Sequence, residues 1–256
     1  MIKVLELFCG TKSVGKCCDS LGWETISLDY EKKFNATHTC DILDFDYKQY
    51  PQGYFDIIWA SPDCRFYSKL QNTWIGRKKK DGIMTTRETI EENRKYSDTL
   101  IYKVWEIIDY FNPQFWFLEN PLSTLKDREV MKNKPYYIVD YCMYSDWGYK
   151  KRTCIWTNKK DWEALVCDGK GSCGNMIEIE TNGAVHTGYK TPIKSATRFL
   201  HTNPIGDNNK CKEIKKQSKD LRRKHKTDVS KDVGGGSNRL ERYRVPLDLI
   251  YSLFLD

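Results

Sequence analysis

The sequence has no long apolar run and no internal repeat. A helix that crosses a bilayer needs about 20 consecutive apolar residues, and no stretch of the 256 residues approaches that length. Residues 1–6 include an acid where a secretory signal peptide would have its apolar core. These absences argue against a membrane-spanning or secreted protein, and the ordinary glycine and proline content argues against a fibrous or disordered one. We therefore expect a folded, intracellular protein.

The chain also lacks the secretory signal that would accompany a disulfide framework, although it contains ten cysteines. A chain of this length does not need disulfides to be stable, and thiols inside a cell stay reduced. We expect most of the cysteines to be reduced. A functional cysteine would then act as a nucleophile or as a metal ligand.

Positive charge is concentrated in one part of the chain. Residues 158–227 carry 15 Lys and Arg against 8 Asp and Glu, which accounts for the whole net charge of +7. The remainder of the chain is neutral. A neutral body with one basic segment predicts a polyanionic partner that binds to that segment.

Strand and helix patterns alternate in the first part of the sequence. Apolar and β-branched residues predict strands over 2–8, 25–29, 54–60, 115–118, 136–144 and 153–157, and helical spacing predicts helices over 14–21 and 98–111. Polar residues collect where several of these strands end. We therefore expect an α/β fold with a doubly wound, Rossmann-like parallel sheet, whose ligands bind along its carboxyl edge.

The alternation fades after residue 157 into a stretch rich in Gly, Asn, Lys and Thr. We predict a first domain over 1–157, a small, irregular and basic domain over 158–233, and a C-terminal segment over 234–256. The last segment contains a helical pattern after Pro246 and should return to the first domain.

A glycine-bearing turn follows the first predicted strand and could belong to many kinds of nucleotide or cofactor loop. Asp29 ends the second strand, where a carboxylate can accept hydrogen bonds from both hydroxyls of a ribose. Asp41 ends the next extended piece and could accept from an adenine amino group. Each acid alone is more typical of a turn. Together, in this order and spacing, they indicate an adenosine pocket.

A cysteine follows another strand, in the loop Ser61-Pro62-Asp63-Cys64. A packing cysteine is the alternative, but this one lies after the strand among polar residues, with Arg65 beside it to favour a thiolate. Glu119 also lies at a strand end, where a capping carboxylate is the alternative. A cysteine and a glutamic acid at adjacent strand ends would supply a nucleophile and a proton donor to one pocket.

Six short motifs occur in a fixed order along the chain. They are Phe8-Cys9-Gly10, the acids Asp29 and Asp41, Pro62-Asp63-Cys64 with Tyr67-Ser68, Glu119-Asn120-Pro121, Lys151-Arg152-Thr153, and Arg244-Val245-Pro246. In kind and order they resemble the motifs of the cytosine-5 DNA methyltransferase family. The resemblance is to a small member of viral, phage or restriction-modification type, with the basic insert as a shortened target recognition domain.

The resemblance implies a fold, a cofactor and a reaction. The sheet would bind S-adenosylmethionine, and Cys64 would add to carbon 6 of a flipped cytosine while Glu119 protonates ring nitrogen 3 and Arg152 holds the base or its phosphate. The partner would be double-stranded DNA rather than a membrane, and the protein would be a monomer in the cytoplasm or another DNA-containing compartment. The implied cofactor-binding residues are Phe8, Gly10, Thr11, Asp29, Asp41 and Pro62.

The chain departs from the family pattern at four positions: Lys12 replaces a glycine, Asp63 a proline, Arg65 a glutamine and Pro121 a valine. An acid beside the nucleophile would raise the pKa of the Cys64 thiol and oppose Arg65. Two alternatives therefore stay open. One is the same chemistry on RNA or on a cytidine nucleotide, and the other is a catalytically silent DNA-binding relative.

The insert contains Cys167, Cys173, His186, His201 and Cys211, and of these Cys167, Cys173, His186 and Cys211 could bind a structural zinc. The five residues between Cys167 and Cys173 are not the spacing of a standard zinc knuckle, so solvated or packed thiols are the preferred interpretation and no metal is predicted. Two basic clusters could contact the DNA backbone or be solvated surface. They are Arg77-Lys78-Lys79-Lys80, and Lys210, Lys212, Lys215, Lys216, Lys219, Arg222, Arg223, Lys224 and Lys226.

Overall fold

A computed structural model describes residues 1–78, 82–181, 196–201 and 243–255 of the chain. It divides the chain into two compact units. The first unit comprises Met1–Val139, Arg152–Ala164 and Arg244–Asp256, and the second comprises Asp140–Lys151 and Leu165–Tyr243. The predicted division at residues 157 and 233 stays a prediction.

A seven-stranded sheet forms the centre of the fold. Its strands are β1 (Lys3–Leu7), β2 (Glu24–Asp29), β3 (His38–Thr39), β4 (Ile57–Ala60), β5 (Phe115–Pro121), β6 (Tyr136–Asp140) and β7 (Arg152–Thr157). They lie in the order β3-β2-β1-β4-β5-β7-β6. Strands β1 to β5 pair in parallel, whereas β7 runs antiparallel to β5. The α/β fold class is confirmed, and the sheet is mixed rather than wholly parallel.

The strand order reverses between β1 and β4, which are neighbours in the middle of the sheet. From β1 the chain proceeds outward through β2 and β3, then returns to add β4 and β5 on the other side. The loops that leave β1 and β4 therefore diverge at the carboxyl edge and leave a crevice between them. In open α/β sheets, this reversal point is where ligands bind.

Helices cover both faces of the sheet. Ile58 and Leu118 belong to an apolar cluster with Ile101 and Phe111 of α2 (Arg87–Phe111). The alternate residues point the other way: Trp59 and Phe117 contact Phe254 of α3 (Leu247–Leu255). Side chains of a strand alternate between its two faces, so this division buries both faces of the sheet.

Helix α1 (Ser13–Leu21) follows β1 and ends at Gly22, whose φ of 70° allows the left-handed turn that closes the helix. Trp23, just after this turn, stacks on Phe254 of α3 with ring centroids 5.5 Å apart. This contact packs α3 against the turn that follows α1.

Helix α2 begins at Arg87, well before the predicted start at residue 98. Thr86 and Thr89 form a capping box, in which each side chain accepts a hydrogen bond from the other's backbone N–H. The first turns of the helix carry few apolar residues, so the hydrophobic pattern detects only its second half.

A separate two-stranded antiparallel sheet lies in the second unit. It pairs β8 (Met176–Thr181) with β9 (Ala196–His201), so the predicted irregular segment contains some regular structure. Across the described parts of the chain, no helix is both long enough and apolar enough to span a bilayer.

Glu6 of β1 joins the central strand to the start of α1. Its two carboxylate oxygens accept hydrogen bonds from the backbone N–H groups of Val14 (3.2 Å) and Gly15 (3.1 Å). The residue is only 3% exposed. Burial raises the pKa of Glu6 to about 8, although these two hydrogen bonds and Lys12 act in the opposite direction.

We predict that the stability of the fold depends on pH through Glu6. Because the folded-state pKa of about 8 lies above the ordinary value of 4.5, the stabilising contribution is complete below pH 4.5 and is lost as the pH rises through 8. Relative to Glu6→Gln, which does not ionise, the wild-type free energy of unfolding should fall by on the order of 3 kcal/mol from about pH 5 to about pH 9. Urea unfolding of both proteins measures this fall. A difference between them that does not vary with pH would contradict the prediction.

Candidate active site

The loop after β1 has an unusual backbone. Phe8, Gly10 and Lys12 all have positive φ, at 58°, 47° and 56°. This region costs little for glycine but disfavours other residues, so the strain at Phe8 and Lys12 must be offset by the surroundings. The Lys12 side chain extends to the carbonyl of Asn35, with Nζ 2.5 Å from the oxygen. Replacement of the family's glycine by Lys12 is therefore compatible with the turn.

Asp29 holds this loop from the end of β2. Its Oδ2 accepts a hydrogen bond from the Gly10 N–H (2.9 Å), and its Oδ1 accepts one from the Glu31 N–H (2.9 Å). The residue is 6% exposed. A carboxylate oxygen can accept more than one hydrogen bond, so Asp29 can both orient the loop and accept from a ligand.

Asp41 lies beyond β3, at the start of a short 3-10 turn. Its Oδ1 accepts a hydrogen bond from the Leu43 N–H (2.9 Å), as an N-terminal cap does. An acid in this position can form a turn or bind a ligand, and the hydrogen bond to Leu43 is a turn-forming contact. The other carboxylate oxygen of Asp41 takes no part in this cap and could accept a hydrogen bond from a ligand.

The C-terminal segment contacts the loop that follows β1. The backbone N–H of Val245 donates to Ser13 Oγ (3.1 Å), and Ser13 Oγ lies 3.3 Å from Thr11 Oγ1. Val245 is buried. A residue near the end of the chain thus lies against the loop that follows the first strand.

The loop that carries Cys64 begins where β4 ends. Ala60 pairs with Leu118 in the register of β4 and β5, so Ser61 and Glu119 are the next residue along each strand. The Asn120 side chain, wholly buried, donates from Nδ2 to the Pro62 carbonyl (2.9 Å). This hydrogen bond fixes the Cys64 loop against the strand end that carries Glu119.

Asp63 and Arg65 form an ion pair with each other across Cys64. The backbone N–H of Arg65 also donates to Asp63 Oδ1 (2.9 Å). The expectation that Arg65 favours the Cys64 thiolate is therefore incomplete, because its guanidinium is paired with the neighbouring acid. The two charges offset each other, and both side chains are open to solvent, which weakens their field at the thiol.

A hydrogen-bond network that was not predicted from the sequence supports the loop that carries Cys64. Tyr67 is completely buried, and its hydroxyl donates to Asp98 Oδ1 on α2 (2.9 Å). Arg128 Nε donates to Asp98 Oδ2 (3.0 Å), and Arg128 Nη1 donates to Glu91 Oε1 (2.7 Å). Burial and the nearby Asp98 raise the pKa of Tyr67 well above its ordinary value. One signal was available: Asp98 is an acid on the apolar face of its helix, three residues before Ile101.

Glu119 and Arg152 come to the same edge because β7 runs antiparallel to β5. Pro121 pairs with Thr153, so the first residue of β7 lies beside the last residues of β5. The Leu122 N–H donates to the Arg152 carbonyl (2.9 Å). Glu119 is 5% exposed, whereas Arg152 is exposed. An antiparallel strand presents its first residue, not its last, at the carboxyl edge.

Comparison with known proteins agrees with this arrangement. Residues 2–137 match the C-5 cytosine-specific DNA methylase family. The chain is also 39% identical over 184 residues to a protein named "Probable DNA (cytosine-5)-methyltransferase" from Frog virus 3 (isolate Goorha), a match covering 71% of this chain and 82% of the relative. The chain belongs to the C-5 cytosine-specific DNA methylase family. The predicted resemblance and the predicted enzyme class, a DNA (cytosine-5)-methyltransferase, are confirmed.

Two solved structures resemble the methyltransferase at 12% identity. One is described as a "putative DNA modification methyltransferase encoded within prophage" from E. coli, with a TM-score of 0.37, covering 61% of this chain and 46% of that one. The other is the Dnmt2 methyltransferase of S. pombe, with a TM-score of 0.39, covering 64% of this chain and 52% of that one. The chain spans about half the length of each. At these TM-scores, the family assignment depends on the sequence matches.

The first unit of the methyltransferase brings the predicted residues to one edge of its sheet. The cofactor set lies in the loops after β1, β2 and β3 and at Pro62, and the catalytic set lies at the ends of β4 and β5 and the start of β7. Their individual roles stay predictions. His186, Cys211, Lys79, Lys80 and the basic residues 210–226 lie outside the described residues.

We predict that the hydroxyl of Tyr67 stabilises the methyltransferase. Tyr67→Phe leaves the ring in place but removes the donor to Asp98, which should lower the free energy of unfolding by about 1–3 kcal/mol. Tyr102→Phe, on an exposed part of α2 (53% exposed), should change it by less than about 0.5 kcal/mol. Denaturant unfolding compares the two variants. Equal stabilities would show that the buried hydrogen bond contributes nothing.

Proposed function

We propose that the chain transfers a methyl group from S-adenosylmethionine to carbon 5 of a flipped cytosine in double-stranded DNA, through a covalent adduct with Cys64. One observation carries the proposal. The Asn120–Pro62 hydrogen bond holds the Cys64 loop against the strand end that bears Glu119, in a chain of the C-5 cytosine-specific family. A nucleophile and an acid on neighbouring strand ends can act on one bound base.

The chemistry of cytosine explains why both groups are needed. Carbon 5 is a poor nucleophile until another group adds at carbon 6. The Cys64 thiolate forms a bond to carbon 6 while the Glu119 carboxyl donates its proton, or a hydrogen bond, to ring nitrogen 3. Carbon 5 then has the electron density of an enamine and can attack an electrophilic methyl group. Loss of the carbon 5 proton to a base expels the Cys64 thiolate and restores the ring.

The burial of Glu119 suits this role. A carboxyl group that is 5% exposed has little solvent to compete with its contact to a substrate nitrogen. Arg152, exposed at the same edge, could hold the flipped base or its phosphate. The thiolate adds to carbon 6, and carbon 5 attacks the methyl group, at the faces of the ring, which are covered when cytosine is stacked in a duplex. The base must therefore leave the stack before it reacts.

S-adenosylmethionine supplies the methyl group when bound. The residues that follow β1, β2 and β3 suit the ribose and the adenine of this cofactor. Asp29 has acceptor capacity for ribose hydroxyls, and Asp41 could accept from an adenine amino group. The tight backbone at Phe8 and Gly10 allows close approach of a ligand. Thr11 and Pro62 complete the same edge.

The segment after the Cys64 loop could contact DNA. Residues 69–78 carry exposed apolar side chains, including Leu70 and Trp74, and the Arg77 guanidinium lies 5.6 Å from the centre of the Trp74 ring. Basic and aromatic groups together suit phosphates and unstacked bases. The basic residues of 210–226 would add contacts to the DNA backbone.

We predict that Asp29→Ala weakens the binding of S-adenosylmethionine by about 1–3 kcal/mol, because it removes a charged acceptor and releases the Gly10 N–H. Asp44→Ala changes a nearby exposed acid that is absent from the proposed pocket and serves as the control. Isothermal titration calorimetry gives both affinities. Unchanged binding in Asp29→Ala, or an equal loss in Asp44→Ala, would remove Asp29 from the pocket.

We predict that Cys64→Ser abolishes methylation but retains binding of DNA and S-adenosylmethionine, because an alcohol ionises far less than a thiol near neutral pH. Duplex DNA containing 5-fluorocytosine should trap a denaturation-resistant adduct, since fluorine cannot leave as a proton. The adduct should form with the wild type and with Cys40→Ser, and not with Cys64→Ser. Methylation by Cys64→Ser would instead favour transfer to an exocyclic nitrogen, which needs no covalent step.

The substrate is tested by methyl-transfer assays on duplex DNA, RNA and a cytidine nucleotide, carried out with equal concentrations of cytosine. The proposal expects transfer to duplex DNA alone. Faster transfer to RNA or to the nucleotide would identify the alternative substrates. A protein that binds DNA but not S-adenosylmethionine would be the silent relative.

A further inference from the structure

Three cysteines and a histidine come together in the second unit, which contributes none of the residues assigned above to the cofactor or to catalysis. The potential ligand atoms of Cys142, Cys167, Cys173 and His201 all lie within 4.8 Å of one another. Cys142 and Cys167 are buried and the other two residues are half-buried. In the described part of the chain, no cysteine forms a disulfide.

The distances from the histidine to two of the cysteine sulfurs fit a metal ion that these residues share. The Nε2 atom of His201 is 3.8 Å from Cys167 Sγ and 3.7 Å from Cys173 Sγ. In a tetrahedral zinc site, with bonds of about 2.3 Å to sulfur and about 2.0–2.1 Å to nitrogen, the sulfur and nitrogen ligands lie about 3.6 Å apart. The two sulfur-to-nitrogen distances are thus already close to those between zinc ligands.

The Asn175 side chain and the pairing of β8 with β9 hold the cysteine-bearing segments in place. Asn175 Nδ2 lies 2.8 Å from the Cys142 carbonyl oxygen and 3.1 Å from the Cys173 carbonyl oxygen, and donates to both. Met176 begins β8 and pairs with His201 at the end of β9, which places the histidine beside the Cys173 segment. Three parts of the chain that are distant in sequence therefore meet at one point.

Cys167 has the surroundings of a thiolate ligand. The Gly169 N–H donates to Cys167 Sγ (3.4 Å), and a φ of 76° at Gly169 turns the chain sharply after the cysteine. The Cys167 N–H donates to Asp140 Oδ2 (3.0 Å), which lies 3.3 Å from Lys150 Nζ. Such hydrogen bonds to a ligand residue fix its orientation around a metal.

We propose that Cys142, Cys167, Cys173 and His201 bind a structural Zn²⁺ ion. Three sulfur atoms and one imidazole nitrogen suit zinc, whereas magnesium and calcium take oxygen ligands. Four protein ligands complete a tetrahedral shell and leave no position for a reacting water, so the ion stabilises the fold rather than performing chemistry. It would link the turn at Cys142, the loop from Cys167 to Cys173, and the end of β9.

This proposed ligand set differs from the one considered from the sequence. Cys167 and Cys173 belong to both sets. Cys142 and His201 replace Cys211 and His186, which lie outside the described residues. Cys142 escaped notice because it precedes the basic segment, at the end of a pattern that predicts a strand.

The test measures metal content in the full-length protein purified with a reductant and without added chelator. Mass spectrometry of the metals should find about one zinc per chain in the wild type. Cys142→Ser and His201→Ala should each lower this at least about fivefold. His186→Ala and Cys211→Ser are the matched controls and should retain the zinc. Retention by the first pair, or loss only in the second pair, would overturn the proposal.

Replacement of zinc by cobalt distinguishes the loss of a metal ligand from the loss of the fold. The wild type loaded with Co²⁺ should show the strong visible bands of a tetrahedral site and a thiolate-to-cobalt charge-transfer band. His201→Cys keeps four ligands and should bind Co²⁺ with a spectrum shifted towards that of a four-sulfur site. An octahedral spectrum, or no shift in His201→Cys, would contradict the assigned ligands.

Discussion

The hydrogen bond from Asn120 to the Pro62 carbonyl is the contact on which the candidate active site depends. It joins the loop after β4 to the end of β5, so that the position of Cys64 is set by the same strand that carries Glu119. Asn120 is wholly buried. A buried amide donor of this kind is costly to leave unpaired, and this favours a single position of the loop over several.

The same principle operates in the loop after β1, where side chains hydrogen-bond to the backbone and hold strained geometry. Asp29 accepts from Gly10, and Glu6 accepts from the first turn of α1. These acids lie at or near the centre of the sheet, where solvent is excluded and a hydrogen bond is strong. The positive φ values at Phe8 and Lys12 persist because the contacts on both sides specify the path of the chain.

We infer a different source of stability for the second unit. Its described residues include a two-stranded sheet, which alone is too small to bury a substantial core, and the cluster of three cysteines and a histidine. A zinc ion at that cluster would cross-link the segments that carry these residues. Folding of this unit would then depend on the supply of metal and on reduced thiols.

The sequence alone predicts the α/β fold class, the order of the motifs and the strand ends near which Asp29, Cys64 and Glu119 occur. These features are local: buried strands are apolar and the residues that follow them are polar. Tertiary structure alone decided which distant residues meet. The pairing of Tyr67 with Asp98, the antiparallel direction of β7 and the choice of Cys142 and His201 as neighbours of Cys167 all depend on it. Such contacts depend on how strands and helices pack, and packing leaves no fixed spacing in the sequence.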